Sequence, residues 1–163
     1  MLKPFICAIC EKVIFDQQIG LPPNPNGPKL GPPSLIALFS KLYVTIPHGV
    51  VVGTPAFPPN ALAPRDWSIY TEWDTEPGDE TRHYVLRAQV FYPDGATFGG
   101  CPDIPINVEP NSRSQAIVRI PAFPIGQSGT YIARVWVEEN HIEVVKPIDL
   151  KIDVIFIEQP LIP

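Results

Sequence analysis

Apolar and polar residues alternate with a period of two along most of the chain. One face of segment 84–92 carries Tyr84, Leu86, Ala88, Val90 and Tyr92. The same alternation recurs in four further segments, 67–73, 116–120, 131–137 and 150–156. This pattern is typical of strands with one face on a core and the other facing water. Apart from a short turn near 35–41, no segment shows the spacing of an amphipathic helix, so the sequence predicts an all-β fold.

Turn residues separate the predicted strands at short intervals. In Pro93-Asp94-Gly95, proline presets its own φ and glycine takes the left-handed position of a turn. Segment 76–79 (EPGD) has the same character, and Glu139-Asn140 indicates a tight turn near the C-terminus. Roughly eight strands joined in this way fit an antiparallel β-sandwich better than a closed barrel.

Proline is the most unusual feature of the composition. The chain of 163 residues contains 22 prolines, more than twice the usual share of about 5%. Proline is excluded from helix interiors and central strands. We therefore expect one domain over 1–163 with two long, stiff, Pro-rich loops at 18–33 and 47–64. Loops of this length are often functional, and we expect these to be held in place by a partner.

The charge pattern excludes some partners. The chain has 17 acidic and 12 basic residues, a net charge of −5, and no basic cluster denser than Arg82-His83. Nucleic-acid binders usually carry a basic stripe, so we expect no nucleic-acid partner. No apolar run approaches the length of about 18 residues needed to span a membrane. The N-terminal MLKPFICAICEKVIF is interrupted by Pro4, Glu11 and Lys12 and lacks a cleavage pattern, which predicts a cytoplasmic protein.

Cys7 and Cys10 form the only pair with the spacing of a metal or redox site. In a strand, this spacing places the two side chains on opposite faces. Buried thiols are therefore expected in preference to a zinc ligand pair or a redox pair. Cys101 follows two glycines, which indicates either a sharp bend or an exposed thiol. We expect free thiols and no cofactor.

Other candidate chemistry depends on carboxylates and tryptophans. Four carboxylates in 74–80 predict either a calcium-binding turn or a solvated acidic one. A sugar-binding sandwich would use Trp67, Trp73 and Trp136 as stacking platforms. The sequence contains no nucleophile-elbow, zinc-protease, phosphate-loop or dinucleotide motif. We expect no enzyme, and a hydrolase or thiol enzyme assembled from distant residues is the competing hypothesis.

The segment GQSGTY (126–131), which leads into IARVWVEENHI, is similar to the late hairpin of immunoglobulin-like domains, where the tyrosine fixes a corner. The layout also resembles a family of small, uncharacterised bacterial and phage proteins made of one immunoglobulin-like sandwich. The shared features are ICAICEKVIF, PPSLIALFSKLYVTIP, a hairpin ending in YPDG, and the final G-x-Y strand pair. The resemblance covers the chain apart from its long loops. It implies an immunoglobulin-like antiparallel β-sandwich and no known activity.

One predicted strand face has the composition of a protein contact. Opposite Tyr131, Ala133 and Val135 lie an isoleucine, an arginine and a tryptophan, which are typical of interfaces. This face either meets another protein or packs under the apolar residues of 50–52 and 56–57. The C-terminal tail (158–163) and the residues before it are also too apolar for a free terminus. The predicted contact residues are Ile132, Arg134, Trp136, Phe156 and Leu161.

We therefore expect a non-catalytic protein-binding or assembly module. Its partners would be other protein subunits, identical or different, in a larger complex or a phage-like particle. The alternative is a monomeric ligand-binding sandwich for sugar or calcium.

Overall fold

A computed structural model describes residues 2–15, 33–75, 82–109 and 112–160. Every regular element within these residues is a β-strand, which confirms the all-β prediction. The short turn expected near 35–41 is replaced by the end of one strand and the start of the next. The strands are β1 (Lys3–Phe15), β2 (Pro33–Leu38), β3 (Lys41–Ile46), β4 (Leu62–Ala63), β5 (Trp67–Asp74), β6 (Arg82–Phe91), β7 (Thr97–Phe98), β8 (Ile104–Val108), β9 (Arg113–Ile120), β10 (Phe123–Pro124), β11 (Gly129–Glu139) and β12 (Ile142–Glu158).

These strands form two main sheets in a sandwich-like arrangement. The four-stranded sheet has the order β2-β1-β5-β9. The larger sheet has the order β3-β12-β11-β6-β7, and β8 pairs with β6 as well. A small third sheet joins β10 to β4.

One edge of the larger sheet departs from the predicted antiparallel arrangement. β3 pairs with β12 in parallel, in register from Asp153 opposite Lys41 to Glu158 opposite Ile46. Parallel neighbours cannot be joined by a tight turn and need a long connection. Here the connection is the whole chain from β4 to β11. The expectation of a purely antiparallel sandwich is wrong at this edge, because turn signals report only on strands that are neighbours in sequence.

Two prolines within long strands sit at irregularities of the ladder. The register between β1 and β5 shifts between Pro4 and Ile6. The register between β11 and β12 shifts at Trp136. There β12 has one residue more than β11, and Pro147 belongs to this bulge. Proline cannot donate a hydrogen bond to the ladder, so a bulge is where a strand tolerates it.

The hydrophobic core lies between the two main sheets and draws on both. β5 contributes Trp67, Ile69 and Trp73, and the facing strands β11 and β12 contribute alternate residues. The fully buried members from that facing sheet include Tyr131, Ala133, Val135, Val137 and Ile152. Phe123 of β10 closes one end of this core, with its ring centroid 5.1 Å from that of Trp67 and 5.8 Å from that of Tyr131.

The two predicted Pro-rich loops have different outcomes. Residues 18–32 lie outside the described part of the chain. Residues 47–61 contain turns and an isolated bridge between Thr54 and Phe57, and they lead into β4. This segment packs closely on the chain before β11. The amide of Ile125 donates to the carbonyl of Ala61 at 2.9 Å, and buried Gly126 lies directly against the carbonyl of Pro59.

Candidate functional site

The outer face of the larger sheet carries three of the five predicted contact residues. Ile132, Arg134 and Trp136 alternate along β11 with fully buried residues and are themselves half-buried. The register continues this face onto β6, where Phe91 lies opposite Ile132. It also continues onto β12, where Asp149 lies opposite Arg134.

Ionic and aromatic contacts hold Arg134 flat on this face. Its Nε and Nη2 donate to the two carboxylate oxygens of Asp149 at 2.7 and 2.9 Å. Its guanidinium carbon lies 5.4 Å from the centroid of the Phe91 ring, a cation–π distance. The hydrogen bonds from Arg134 lower the pKa of the Asp149 carboxyl. Arg134 is therefore a fixed part of the sheet surface and not a mobile charge.

Trp136 is held in a similar way. Its indole Nε1 donates to Oε1 of Glu138 at 2.8 Å, and Nε of Arg87 donates to Oε2 of the same carboxylate at 3.2 Å. Arg87 also pairs with Asp103. The hydrogen bond from Trp136, followed by that from Arg87, lowers the pKa of Glu138. The outer face thus carries a planar, ordered set of side chains with satisfied charges.

An apolar corner completes the face where β3 and β12 meet. Tyr43 is 60% exposed and Ile157 is 46% exposed. Ile155 lies directly opposite Tyr43 in the parallel ladder and Ile157 is opposite Thr45, so the three apolar side chains are neighbours. We call Tyr43, Ile155 and Ile157 the apolar corner. From the sequence, Ile155 and Ile157 stand out only as part of the apolar stretch before the C-terminus, and Tyr43 does not stand out at all.

Phe156, one of the predicted contact residues, is not on the outer face. It packs against the hydrophobic core, and its ring centroid is 5.6 Å from that of Phe57. Alternation along β12 explains this position, since Ile152 and Val154 are buried and Phe156 shares their side of the strand. Phe156 is therefore on the opposite side of β12 from the outer face, where Ile157 lies, and its role as a partner contact stays a prediction. Leu161, the fifth predicted residue, lies outside the described residues.

The alternative that the loop covers this face is not supported by the loop's contacts. Phe57 packs on Phe156, which is on the core side of β12. Val51 and Val52, the other apolar residues proposed as a cover, are exposed. The described loop residues therefore pack at the core side of the sheet and leave valines facing outward.

A cavity of about 300 Å³ opens where β1 of one sheet meets the β3 edge of the other. Its walls are apolar and its mouth is charged. The apolar lining consists of Phe39, Leu42, Trp67 and Phe123, the charged lining of Glu11, Lys41 and Arg65, and Tyr43 lies at the exposed side. We call this cavity the edge pocket.

Polar contacts define the mouth of the edge pocket. Nη2 of Arg65 pairs with Oε1 of Glu11 across it. Lys41 is exposed, and within the described part of the chain it takes part in no ion pair. The indole Nε1 of Trp67 donates to the carbonyl of Ala122 at 3.0 Å, which fixes the Trp67 ring in the wall. Sequence reasoning missed this site because Glu11, Lys41 and Arg65 belong to three distant segments.

The other candidate groups lie as follows. Cys10 is buried and Cys7 is half-buried, and all three cysteines are free. Burial raises the pKa of the Cys7 thiol to about 12. Trp73 is buried in the core, and Trp67 is buried apart from its place in the wall of the edge pocket. The three tryptophans therefore do not form the exposed stacking surface of the sugar-binding alternative. Most of the acidic segment 74–80 lies outside the described residues, and Asp74 is paired with Arg113.

The described residues offer neither a metal cluster nor a membrane-spanning helix. No group of three or more histidine, cysteine, aspartate or glutamate residues there is placed to hold a metal ion. No helix in that part of the chain is long and apolar enough to cross a membrane.

Comparison with known proteins adds little. No protein-family model matches the sequence, and no curated protein matches it. Among solved structures, the chain is similar to a family 123 glycoside hydrolase from Clostridium perfringens, with a TM-score of 0.43 and 13% sequence identity. The match covers 78% of this chain and 24% of that enzyme, so this chain spans about a quarter of its length. A likeness of this size indicates no activity for the present protein.

Proposed function

We propose that this protein is a non-catalytic binding module that contacts another protein subunit through the outer face of its larger sheet. The observation that carries the proposal is the apolar corner, where Ile155 lies opposite Tyr43 in the ladder and exposed Ile157 lies diagonally across from exposed Tyr43. Single exposed apolar residues are ordinary, whereas a contiguous group with polar neighbours is typical of a contact surface.

The rest of the face supports the same function. The Arg134–Asp149 pair and the Trp136–Glu138–Arg87 chain are already formed in the isolated protein. Side chains that are ordered before binding lose less conformational entropy when a partner docks. Aromatic and arginine side chains are also those most often found at the energetic centre of interfaces.

The proposal extends to the fold type and the setting. The corner formed by Tyr131 at the start of β11 supports an immunoglobulin-like sandwich, and the proposal keeps the two long Pro-rich loops of the sequence as stiff segments. The resemblance to small bacterial and phage sandwich proteins favours a subunit of a larger complex or a phage-like particle, assembled in the cytoplasm.

The test is the native size of the untagged protein in a lysate of the cells that express it, measured by gel filtration. The wild type should elute well above the 18.0 kDa of one chain. Ile157→Asp should shift elution towards that of one chain, because a carboxylate at the apolar corner cannot be buried without a partner charge. Ile142→Asp is the matched control, since Ile142 is also an exposed isoleucine but lies at the β11–β12 turn.

Two results would contradict the proposal. Elution of the wild type as a single chain would remove the assembly function and favour the monomeric ligand-binding alternative. An equal shift for both variants would show that the outer face is not the contact surface.

A further inference from the structure

We propose that the edge pocket binds a small aromatic carboxylate, with the ring between its apolar walls and the carboxylate at Lys41 and Arg65. This inference is separate from the protein contact. Of the pocket residues, only Tyr43 also belongs to the apolar corner.

The apolar walls are rigid and already formed. Trp67 and Phe123 are almost fully buried, with ring centroids 5.1 Å apart, and Phe39 meets Phe123 edge-on at 6.1 Å. Rings packed in this way cannot collapse into the cavity, so the space persists without a ligand. A volume of about 300 Å³ is at the lower end of the range for ligand pockets. The pocket therefore suits a molecule with one or two rings.

The charge at the mouth selects an anion. The charged lining holds two cations, Lys41 and Arg65, and one anion, Glu11, which is paired with Arg65. The lining therefore has an excess of one positive charge, and Asp153, opposite Lys41 in the ladder, is outside it. This local excess contrasts with the net charge of −5 for the whole chain. A carboxylate at the mouth would meet both Lys41 and the guanidinium of Arg65, and guanidinium groups suit planar carboxylates.

The balance of polar and apolar groups distinguishes this ligand class from a sugar. A sugar needs several hydrogen-bonding partners spread around its ring, whereas here the buried part of the lining, Trp67 and Phe123, is aromatic, and the cations are on exposed residues. Tyr43 stands at the exposed side of the pocket. Because Tyr43 is part of the lining and exposed, its ring is available to pack on a bound aromatic ring, a contact that aromatic pairs favour.

The experiment is a calorimetric titration of the full chain with 2-naphthoate, in parallel with the neutral 2-naphthamide and with glucose. We expect saturable binding of one naphthoate, weaker binding of the amide and none of glucose. Lys41→Gln should weaken naphthoate binding about three- to fivefold, which is the size of one exposed charge interaction. The same variant should leave the affinity for the amide unchanged.

Glu11→Gln should change the affinity for naphthoate in the opposite direction to Lys41→Gln. A loss of folded structure would weaken binding in both variants, so the opposite signs identify an effect of charge. It removes the carboxylate that competes for Arg65, and naphthoate should then bind about three- to fivefold more tightly. Lys146→Gln is the control for nonspecific attraction, because Lys146 is an exposed lysine of β12 outside the pocket lining. It should change neither affinity, and thermal melts should confirm that all three variants fold.

Absence of saturable naphthoate binding at millimolar concentration would overturn the proposal. Equal effects of Lys41→Gln and Lys146→Gln would overturn it as well, since the attraction would then belong to the whole surface. Tighter binding of glucose than of naphthoate would show that the pocket takes a sugar instead. None of these results depends on the gel-filtration test of the protein contact.

Discussion

Tyr131 exchanges two hydrogen bonds with the backbone of Gln127, four residues earlier in the chain. Its phenol oxygen donates to the Gln127 carbonyl at 3.0 Å and accepts from the Gln127 amide at 3.1 Å. The ring is fully buried next to Phe123 and Tyr92. One side chain thus closes the corner between β10 and β11 and anchors it in the core.

Replacing Tyr131 with phenylalanine should destabilise the protein by about 1–2 kcal/mol, because the ring stays buried while the Gln127 amide and carbonyl lose their partner. Urea unfolding followed by tryptophan fluorescence measures the difference. Tyr43→Phe is the matched control, since the Tyr43 side chain is exposed, and it should cost less than about 0.5 kcal/mol. Equal costs for both variants would show that the corner hydrogen bonds add nothing to stability.

Among the glycines that the structure describes, Gly126 is the one at which an added methyl group would be tolerated least. A Cβ there would overlap the carbonyl of Pro59, and backbone atoms cannot rotate away as a side chain can. Gly126→Ala should therefore destabilise the protein by about 2 kcal/mol or more. Gly100→Ala serves as the control, because a Cβ there meets no atom within 4 Å. Thermal melts with equal midpoints for the two variants would contradict the close approach of the loop to this turn.

Much of the larger sheet follows from the sequence. The alternation along β6, β11 and β12 assigns the inner and outer residues correctly, and it places Phe156 with Ile152 and Val154. The same rule identifies Ile157 as an outward residue. The alternation of β5 predicts polar, solvated positions at Ser68 and Glu72, yet the structure buries both. Periodicity within one strand reports which residues share a face, but it does not report what covers that face.

Local sequence patterns could predict neither the edge pocket nor the β3–β12 pair. Glu11, Lys41 and Arg65 come together because β1 pairs with β5 and because β3 lies beside β12 at the sheet edge. The parallel pair depends on the path of the intervening strands, and no residue type or spacing in 41–46 encodes it. Side chains that meet only through such pairing have no motif by which the sequence could reveal them.

The turn between β11 and β12 places two residues in the left-handed region. Asn140 has φ of 52° and His141 has φ of 65°, one position later than the Glu139-Asn140 turn that the sequence predicted. Asparagine tolerates this region well, whereas glycine is the preferred second residue of such hairpin turns. His141→Gly should therefore stabilise the protein by about 0.5–1 kcal/mol, and Asn140→Gly should have a smaller effect. Loss of stability in His141→Gly, measured by urea unfolding, would contradict the turn assignment.

Two arginines on opposite sheets should differ in their contribution to stability. Arg113 pairs with Asp74 at 2.7 Å and with Glu72 at 3.3 Å, and the Glu72 side chain is only 5% exposed. Among the described residues, Arg113→Ala leaves the buried Glu72 carboxylate with the hydrogen bond from the Tyr70 hydroxyl at 3.0 Å, so it should cost about 2–3 kcal/mol. Arg134→Ala, whose partner Asp149 is half-exposed, should cost less than about 1 kcal/mol. Similar costs in urea unfolding would show that burial of Glu72 is unimportant.

The Arg134–Asp149 pair also predicts a dependence on pH. Because the pair lowers the pKa of Asp149 in the folded protein, its contribution is complete above the ordinary aspartate pKa of about 3.9. It should be lost as the pH falls through the lowered folded value. The difference in unfolding free energy between the wild type and Asp149→Asn should therefore shrink below about pH 4. A difference that stays constant to pH 2 would contradict the ion pair.

The buried thiols give the matching prediction at alkaline pH. Burial raises the pKa of Cys7 from 9.0 to about 12, so the folded protein keeps this proton while the unfolded chain releases it. The contribution of the neutral thiol is complete below about pH 9 and declines between pH 9 and 12. Cys7→Ala should therefore lose less unfolding free energy than the wild type between pH 9 and 12, as measured by urea unfolding at each pH.

Thiol labelling at pH 8 is an independent check on the burial of both thiols. Cys7 and buried Cys10 should react only after unfolding. Rapid labelling of either in the native protein would show that β1 opens.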